Sequence, residues 1–177
     1  MKRITDYPPT YWAATVHTAT PTALNGTKVI GYLWKPAASS AHMQICRIEI
    51  HGHQGLNGYY NIELLRVTAE AETPGGTTPA IQQSDASDAA SVSKVVSVPT
   101  GAPTLAASAF YVHLADANTN QDVEIEPPGE GKPLYIPAGS AGGFAVRVTI
   151  TDALTSAADV NAAFVWMEIP VGWTAYD

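Results

Sequence analysis

The sequence predicts an all-β protein, an antiparallel β-sandwich of two sheets, from three observations. Apolar and polar residues alternate through short segments, clusters of Gly, Pro, Ser and Asn separate these segments, and almost no stretch has the spacing of an amphipathic helix. Successive side chains of a strand project to opposite faces, so an alternating strand has one apolar face. A second sheet must cover that face, which is the arrangement of a β-sandwich.

Two segments show the alternation most clearly. In the segment from Gln44 to His51, the residues expected to face the core are Cys46, Ile48 and Ile50. In the segment from Phe144 to Thr151, they are Phe144, Val146, Val148 and Ile150. The single cysteine is therefore expected to be a small buried hydrophobe, and it has no partner for an internal disulfide.

Candidate strands follow one another along the whole chain: Tyr11 to Thr18, Lys28 to Lys35, Gln44 to His51, Tyr59 to Thr68, Val92 to Val98, Ala109 to Leu114, Val123 to Glu126, Pro133 to Ile136, Phe144 to Thr151 and Ala162 to Pro170. About eight to ten strands in one domain predict a sandwich of the jelly-roll type. We expect this domain to span residues 11–170, with an extended N-terminal arm at 1–10, where Pro8 and Pro9 exclude a helix, and a tail at 171–177.

Two further features concern the surface of the sandwich. The strand from Tyr59 to Thr68 is apolar on both phases, so it is either central or buried on its second face against a neighbouring subunit. Residues 69–91 form a long tract that is too polar and too rich in Pro and Gly to be core. A loop of this length inside a compact domain is usually functional or disordered.

Composition excludes several classes of function. The chain has 177 residues, enough for one sizeable core, and 9 Lys+Arg against 16 Asp+Glu give a net charge of −7, which argues against nucleic-acid binding. Only 14% of the residues are charged, so the surface suits contact with other protein. From the first residues and the absence of a long apolar run we expect no secretory signal and no membrane span, and a protein that is made and left in the cytoplasm or leaves it by assembly or lysis.

His51 and His53 form a His-x-His pair at a strand end, which suggests a cupin-type metal site. Such a site needs a Glu four or five residues after the second His and another His in a later segment, but Asn57, Gly58 and Gly142 stand at those positions. We therefore expect no transition metal, and surface or interface histidines instead.

The segment from Asp116 to Asp122 places oxygen-bearing side chains at every second residue. An EF-hand would need Gly at its sixth position and Glu at its twelfth, where the chain has Gln121 and Pro127. The remaining interpretations are an Asx-rich hairpin turn, which needs no ion, and a calcium site between strands.

No other arrangement of residues indicates catalysis. The chain has no Gly-x-Ser-x-Gly motif, and Glu124 and Glu126 alternate on an outer strand face where solvent keeps both ionised. The loop Pro128 to Gly131 is better explained as a tight turn than as a phosphate site. We predict no catalytic residues, no cofactor and no enzymatic activity.

Aromatic residues cluster near both termini, and they are the best candidates for a partner interface: Tyr7, Tyr11, Trp12, Trp173 and Tyr176. Terminal segments usually fray, so large rings on them need something to pack against. That surface is either a groove of the same chain or a neighbouring subunit.

In its composition and its pattern of strands the chain resembles the jelly-roll decoration (cement) proteins of tailed bacteriophages. The resemblance lies in an Ala/Thr-rich, Lys-poor all-β chain and in three segments: the strand Ile45 to His51, the stretch from Val123 through Gly131 into Leu134 to Ile136, and the closing strand Phe164 to Glu168. It implies a homotrimer on the outside of the virion capsid that clamps adjacent subunits of the major capsid protein.

A second hypothesis is a receptor-binding or carbohydrate-binding β-sandwich of a phage tail. Sugar recognition uses exposed aromatic rings as stacking platforms beside amide donors and acceptors. The residues that suit this function best are Tyr59, Tyr60, Asn57 and Asn61.

Overall fold

The computed structural model of the chain describes residues 8–53, 57–125 and 134–172. These residues form thirteen strands and no helix, which confirms the all-β prediction for the part described. The strands are β1 (Thr10–Ala14), β2 (Thr18–Ala19), β3 (Thr27–Lys35), β4 (Ala41–His53), β5 (Tyr59–Ala69), β6 (Gln82–Gln83), β7 (Lys94–Ser97), β8 (Thr104–Leu105), β9 (Tyr111–Asp116), β10 (Gln121–Ile125), β11 (Tyr135–Ile136), β12 (Gly142–Ile150) and β13 (Asp159–Pro170).

The strands make two antiparallel sheets that pack face to face, so the predicted β-sandwich is confirmed. In the seven-stranded sheet the order is β10, β4, β13, β1 and β6, with β11 also beside β4 and β2 also beside β13. In the six-stranded sheet the order is β7, β3, β12, β5 and β8, with β9 also paired to β5. Every predicted strand overlaps an observed strand, whereas the two-residue strands β6 and β8 were not predicted.

The core lies between the two sheets and is built from the inward phases of the long strands. Ile48 and Phe164 contribute from the seven-stranded sheet, and Ile62 and Val146 from the six-stranded sheet, all fully buried. The four residues of β12 that were expected to face inward are fully buried, as predicted: Phe144, Val146, Val148 and Ile150.

The six-stranded sheet also buries part of its outer face. A second apolar cluster lies there: Tyr32, Trp34, Val67, Val96 and Ala145, none more than 6% exposed. Strand alternation places Ala145 on the outward phase of β12, and it is nevertheless fully buried there. The strand that is apolar on both phases, β5, therefore buries its second face within the same chain.

The long tract after β5 supplies part of the cover for this outer cluster. Glu70 accepts a hydrogen bond from Tyr32 Oη (3.5 Å) and pairs with Lys94 Nζ at 2.6 Å, and Leu105 packs against the cluster. Pro74 O accepts from the backbone N–H groups of residues 100 and 101, both at 3.0 Å. The turn that follows needs glycine, because Gly76 has φ +75° and a Cβ there would lie 2.3 Å from a backbone oxygen.

Strand β4 departs from strict alternation at Cys46. Trp166 of β13 pairs with Ile45, while its neighbour Val165 pairs with Arg47, so Cys46 is the extra residue of a β-bulge. As a result Ile45 is fully buried and Cys46 is only half-buried, the reverse of the predicted phase. Burial still raises the pKa of the Cys46 thiol, and the positive charge of Arg47 has a weaker, opposite effect. The raised pKa keeps the thiol protonated.

The buried carboxylate of Glu168, in β13, binds the residues that come just before β7. Glu168 is 6% exposed and accepts hydrogen bonds from Ser91 Oγ, from the backbone N–H groups of Val92 and Ser93, and from the Trp166 indole, at 2.5 to 3.3 Å. Lys35 is also fully buried.

The ammonium of Lys35 is held by two backbone carbonyls. It donates to Pro137 O at 3.1 Å and to Ser140 O at 2.9 Å. Burial lowers the pKa of Lys35, and the negative charge of Glu168 partly offsets this. Both charged groups therefore lie within the fold and fasten loops to it.

Replacing Glu168 with Ala is expected to lower the free energy of unfolding by about 3 kcal/mol, because several buried donors lose their acceptor together. Urea denaturation of the purified chain measures the change. The control is Glu72→Ala, at an exposed carboxylate, for which we expect a change within about 0.5 kcal/mol. Equal effects of the two variants would contradict the prediction.

A second prediction concerns the ion pair of Glu63 with Arg147 on the outer face of the six-stranded sheet. Arg147 Nε and Nη2 donate to the two oxygens of Glu63 at 2.8 and 2.9 Å, and Thr149 Oγ1 donates to the same carboxylate. The hydrogen bonds from Arg147 lower the pKa of Glu63, against the effect of burial and with help from Thr149. A carboxylate whose pKa is lower in the folded chain than in the unfolded chain stabilises the fold at pH values above the usual pKa of Glu. This stabilisation is lost as the pH falls through the pKa of the folded state.

We therefore expect the wild type to be more stable than Glu63→Gln at pH 7, by about 1.5 kcal/mol, and this difference to shrink as pH falls below about 4.3. Urea denaturation at a series of pH values measures it. A difference that stays constant down to acid pH would contradict this account.

Candidate functional site

The predicted interface residues separate into three groups in the structure. Tyr7, Trp173 and Tyr176 lie outside the described residues. Tyr11 and Trp12 are neighbours in β1, and strand alternation sends their side chains to opposite faces of the seven-stranded sheet. Their environments are accordingly different.

Tyr11 belongs to the core of the sandwich. Its ring is 2% exposed, stacks on Trp166 with centroids 5.8 Å apart, and donates from Oη to Ala89 O at 2.7 Å. Burial, with smaller contributions from Glu168 and Asp88, raises the pKa of Tyr11 to about 12. Tyr11 thus fills a groove of its own chain, the first of the two alternatives that the sequence left open, and does not offer its ring to a partner.

Trp12 lies on the outer face of the seven-stranded sheet and is 47% exposed. In the pairing of β1 with β13, Trp12 stands opposite Val165. The flanking pairs on the same face are Ala14 with Ala163 and Thr10 with Met167. We call the apolar part of this face the Trp12 surface: Trp12, Ala14, Ala163, Val165 and Met167. Apart from Trp12 these side chains are half-buried in the described chain.

The charges of the same face lie toward β10, where one arginine and one histidine contact three carboxylates. Arg47 Nε lies 2.7 Å from Glu49 and its Nη1 lies 3.4 Å from Glu124, while His51 Nδ1 lies 2.8 Å from Asp122. These side chains are largely exposed, and exposed pairs of this kind contribute about 0 to 1 kcal/mol each. We call this group the ionic strip: Arg47, Glu49, His51, Asp122 and Glu124.

The two histidines singled out as possible metal ligands have other neighbours. His51 is engaged by Asp122, and the ring of His53 stacks on His17 with centroids 4.6 Å apart. Within residues 8–53, 57–125 and 134–172, no three His, Cys, Asp or Glu side chains are grouped so that they could hold a metal ion.

The segment from Asp116 to Asp122 forms a turn in which side-chain oxygens accept from backbone groups. Asp116 Oδ1 accepts from the N–H of Asn118 at 2.8 Å, and Asn118 Oδ1 accepts from the N–H of Asn57 at 2.9 Å. The first of these bonds is that of an Asx turn, which is one of the two interpretations of this segment, and the second joins the turn to the loop before β5.

The residues proposed for sugar binding are not all accessible. Tyr60 is 1% exposed and belongs to the core, and burial raises the pKa of its hydroxyl, so it is not a stacking platform. Tyr59 is 45% exposed, Asn57 is exposed and Asn61 is half-buried. Tyr59 remains the only ring of this group that a ligand can reach.

Other large apolar side chains are exposed on the six-stranded sheet, and the sequence did not single them out. Val112 and Leu114 of β9 are 55% and 58% exposed, and Phe110 just before the strand is 44% exposed. The sequence shows that Val112 and Leu114 alternate with Tyr111 and His113 along the strand. It does not show which of these two pairs of side chains faces outward.

No protein-family model matches the chain, and no curated protein sequence matches it. The part of the chain that the structure describes contains no helix that is long and apolar enough to span a membrane.

We expect the purified protein to hold no transition metal at near-stoichiometric level, because His51 and His53 are engaged by other side chains and both further cupin ligands are missing from the sequence. Elemental analysis measures this. Near-stoichiometric iron, manganese or zinc that disappears in the double variant His51→Ala, His53→Ala would contradict it.

Proposed function

We propose that this chain is a structural protein of a virion that acts by binding: a decoration protein on the outside of a tailed-phage capsid, with the major capsid protein as its partner and with assembly in the host cytoplasm. The observation that carries the proposal is the Trp12 surface. It is a sheet face with a half-exposed Trp among uncharged, half-buried side chains.

This surface suits attachment through apolar contact. Burying an aromatic side chain stabilises a complex by roughly 1.5 to 3 kcal/mol from area alone. The arginine of the ionic strip is already paired within the chain, and exposed ion pairs contribute little to binding. Aromatic residues anchor protein interfaces, and a flat sheet face allows contact over a large area.

We also propose that the sandwich is of the jelly-roll type. Eight main strands follow in the order β1, β3, β4, β5, β9, β10, β12 and β13. The first pairs with the eighth, the second with the seventh, the third with the sixth and the fourth with the fifth. This nested pairing, as in one long hairpin rolled into two sheets, supports the proposal.

The homotrimer is an expectation that the resemblance implies. One sequence argument for it was that strands apolar on both phases would leave apolar area exposed on a monomer. The chain covers that area itself, since the outer cluster around Tyr32 and Val67 is buried within one copy.

Replacing Trp12 with Ala is expected to weaken capsid binding about 10- to 100-fold, because the exposed ring loses its apolar contact. The measurement is a sedimentation binding assay with capsids of the encoding virus purified without this protein. Raising the salt concentration to about 1 M, where the Debye length is about 3 Å, is expected to change binding much less.

The matched control is Leu24→Ala, which removes another exposed apolar side chain (56%) outside the Trp12 surface and is expected to bind normally. Tyr11→Ala is not a suitable test, since it creates a cavity in the core. Release of the wild type by salt, together with normal binding of Trp12→Ala, would overturn the proposal.

A further inference from the structure

We propose that two copies of this chain associate by antiparallel pairing of their β9 strands, which makes one continuous sheet from two six-stranded sheets. The inference goes beyond the proposed function, because it concerns two copies of the chain and needs no capsid. It starts from the free edge of β9, since within the described residues this strand pairs with β5 alone.

The other sheet edges are short, charged or covered. Strands β2, β6, β8 and β11 have two residues each, and β10 carries Asp122 and Glu124, which pair with β4 side chains. Strand β7 carries Lys94, and Thr77 pairs with its free side through two backbone hydrogen bonds to Ser97. These are the ordinary devices that prevent edges from adding another strand.

Strand β9 has none of these devices except one charged residue, Asp116, at its end. It has six residues, contains no Lys, Arg or Pro, and pairs with β5 without a bulge. Its outward side chains, Val112 and Leu114, are 55% and 58% exposed, while Tyr111 packs against the core. Tyr59 of β5 adds a ring that is 45% exposed on the same face. An exposed, regular and apolar edge of this kind is a template for another strand.

The hydrogen-bonding phase shows which backbone groups are available. Ala117 donates from its N–H to Gly58 O at 2.9 Å, which continues the pairing of β9 with β5. In an antiparallel ladder hydrogen-bonded pairs alternate with pairs that are not hydrogen-bonded. The N–H and C=O groups of Val112 and Leu114 therefore point away from β5, toward the free edge.

A second β9 strand meets this edge in one consistent register. With the two-fold axis at His113, Val112 of one copy stands opposite Leu114 of the second copy, and both residues present outward backbone groups. Four aliphatic side chains then meet on one face, and Asp116 stands opposite Phe110 rather than another carboxylate. No carboxylate or lysine opposes a like charge, the two copies of His113 stand opposite each other at the axis, and each copy carries a net charge of −7. A self-complementary patch of this kind forms a two-fold interface.

The first test is sedimentation equilibrium of the wild-type chain from low to high micromolar concentration. We expect a monomer–dimer equilibrium in the micromolar range, because a pair of six-residue strands buries less than the roughly 800 Å² per partner of a stable complex. Amide hydrogen exchange adds a local measurement. Exchange at Val112 and Leu114 should slow as concentration rises, whereas exchange at exposed amides far from β9 should not.

Two charged variants test the register. Val112→Lys with Leu114→Lys, and separately Val112→Glu with Leu114→Glu, place like charges opposite each other in the proposed dimer. Each is expected to weaken self-association more than about 100-fold. Mixing the two variants places lysine opposite glutamate and is expected to restore dimers that contain one copy of each. Recovery on mixing also shows that both variants are folded.

The control is the double variant Leu24→Lys, Val171→Lys, which introduces the same charge at exposed positions (56% and 65%) outside β9 and should dimerise like the wild type. A wild type that is monomeric throughout, a trimer, dimers that persist in both charged variants, or failure of the mixture to dimerise would each overturn the inference. If the natural occupant of this edge is a strand of another protein, the wild type will be monomeric throughout, which is the first of these results.

Discussion

The fold depends on the burial of the inner face of the six-stranded sheet together with part of its outer face. Its inner face packs on the seven-stranded sheet, and its outer face carries Tyr32, Trp34 and Val67, which are no more than 6% exposed. Without cover, this cluster would expose aromatic and aliphatic area on a monomer. The polar tract after β5 is therefore structural, since Glu70 contacts Tyr32 and Lys94 on this face. What remains uncovered is the outer face of the other sheet and the β9 edge.

The sequence was sufficient to predict the strands, because alternation is a local property of the chain. It was insufficient where pairing between distant strands decides the outcome. At Cys46 the bulge appears only in the register with β13, and it exchanges the phases of Ile45 and Cys46. In β9, pairing with β5 turns Tyr111 toward the core and Val112 outward, although aliphatic residues are usually the buried phase.

The candidate site shows the same limit. Composition predicted that a surface poor in charge would bind other protein, and the position of the rings near the N-terminus directed attention to Tyr11 and Trp12. Which of the two faces a partner depends on the neighbour across the sheet. Tyr11 stands opposite Trp166 and stacks on it in the core, so Trp12 must face outward beside Val165. That relation joins residues about 150 positions apart in sequence, which no local pattern specifies.

The two proposed contacts use parts of the domain that do not overlap. The Trp12 surface is on the outer face of the seven-stranded sheet, whereas β9 is an edge of the six-stranded sheet. Attachment through a sheet face depends on side chains, while pairing at an edge depends on the backbone as well. A copy held by its Trp12 surface thus keeps its β9 edge free for a second copy. Because a two-fold contact closes at two copies, any higher assembly must use a contact other than the β9 edge.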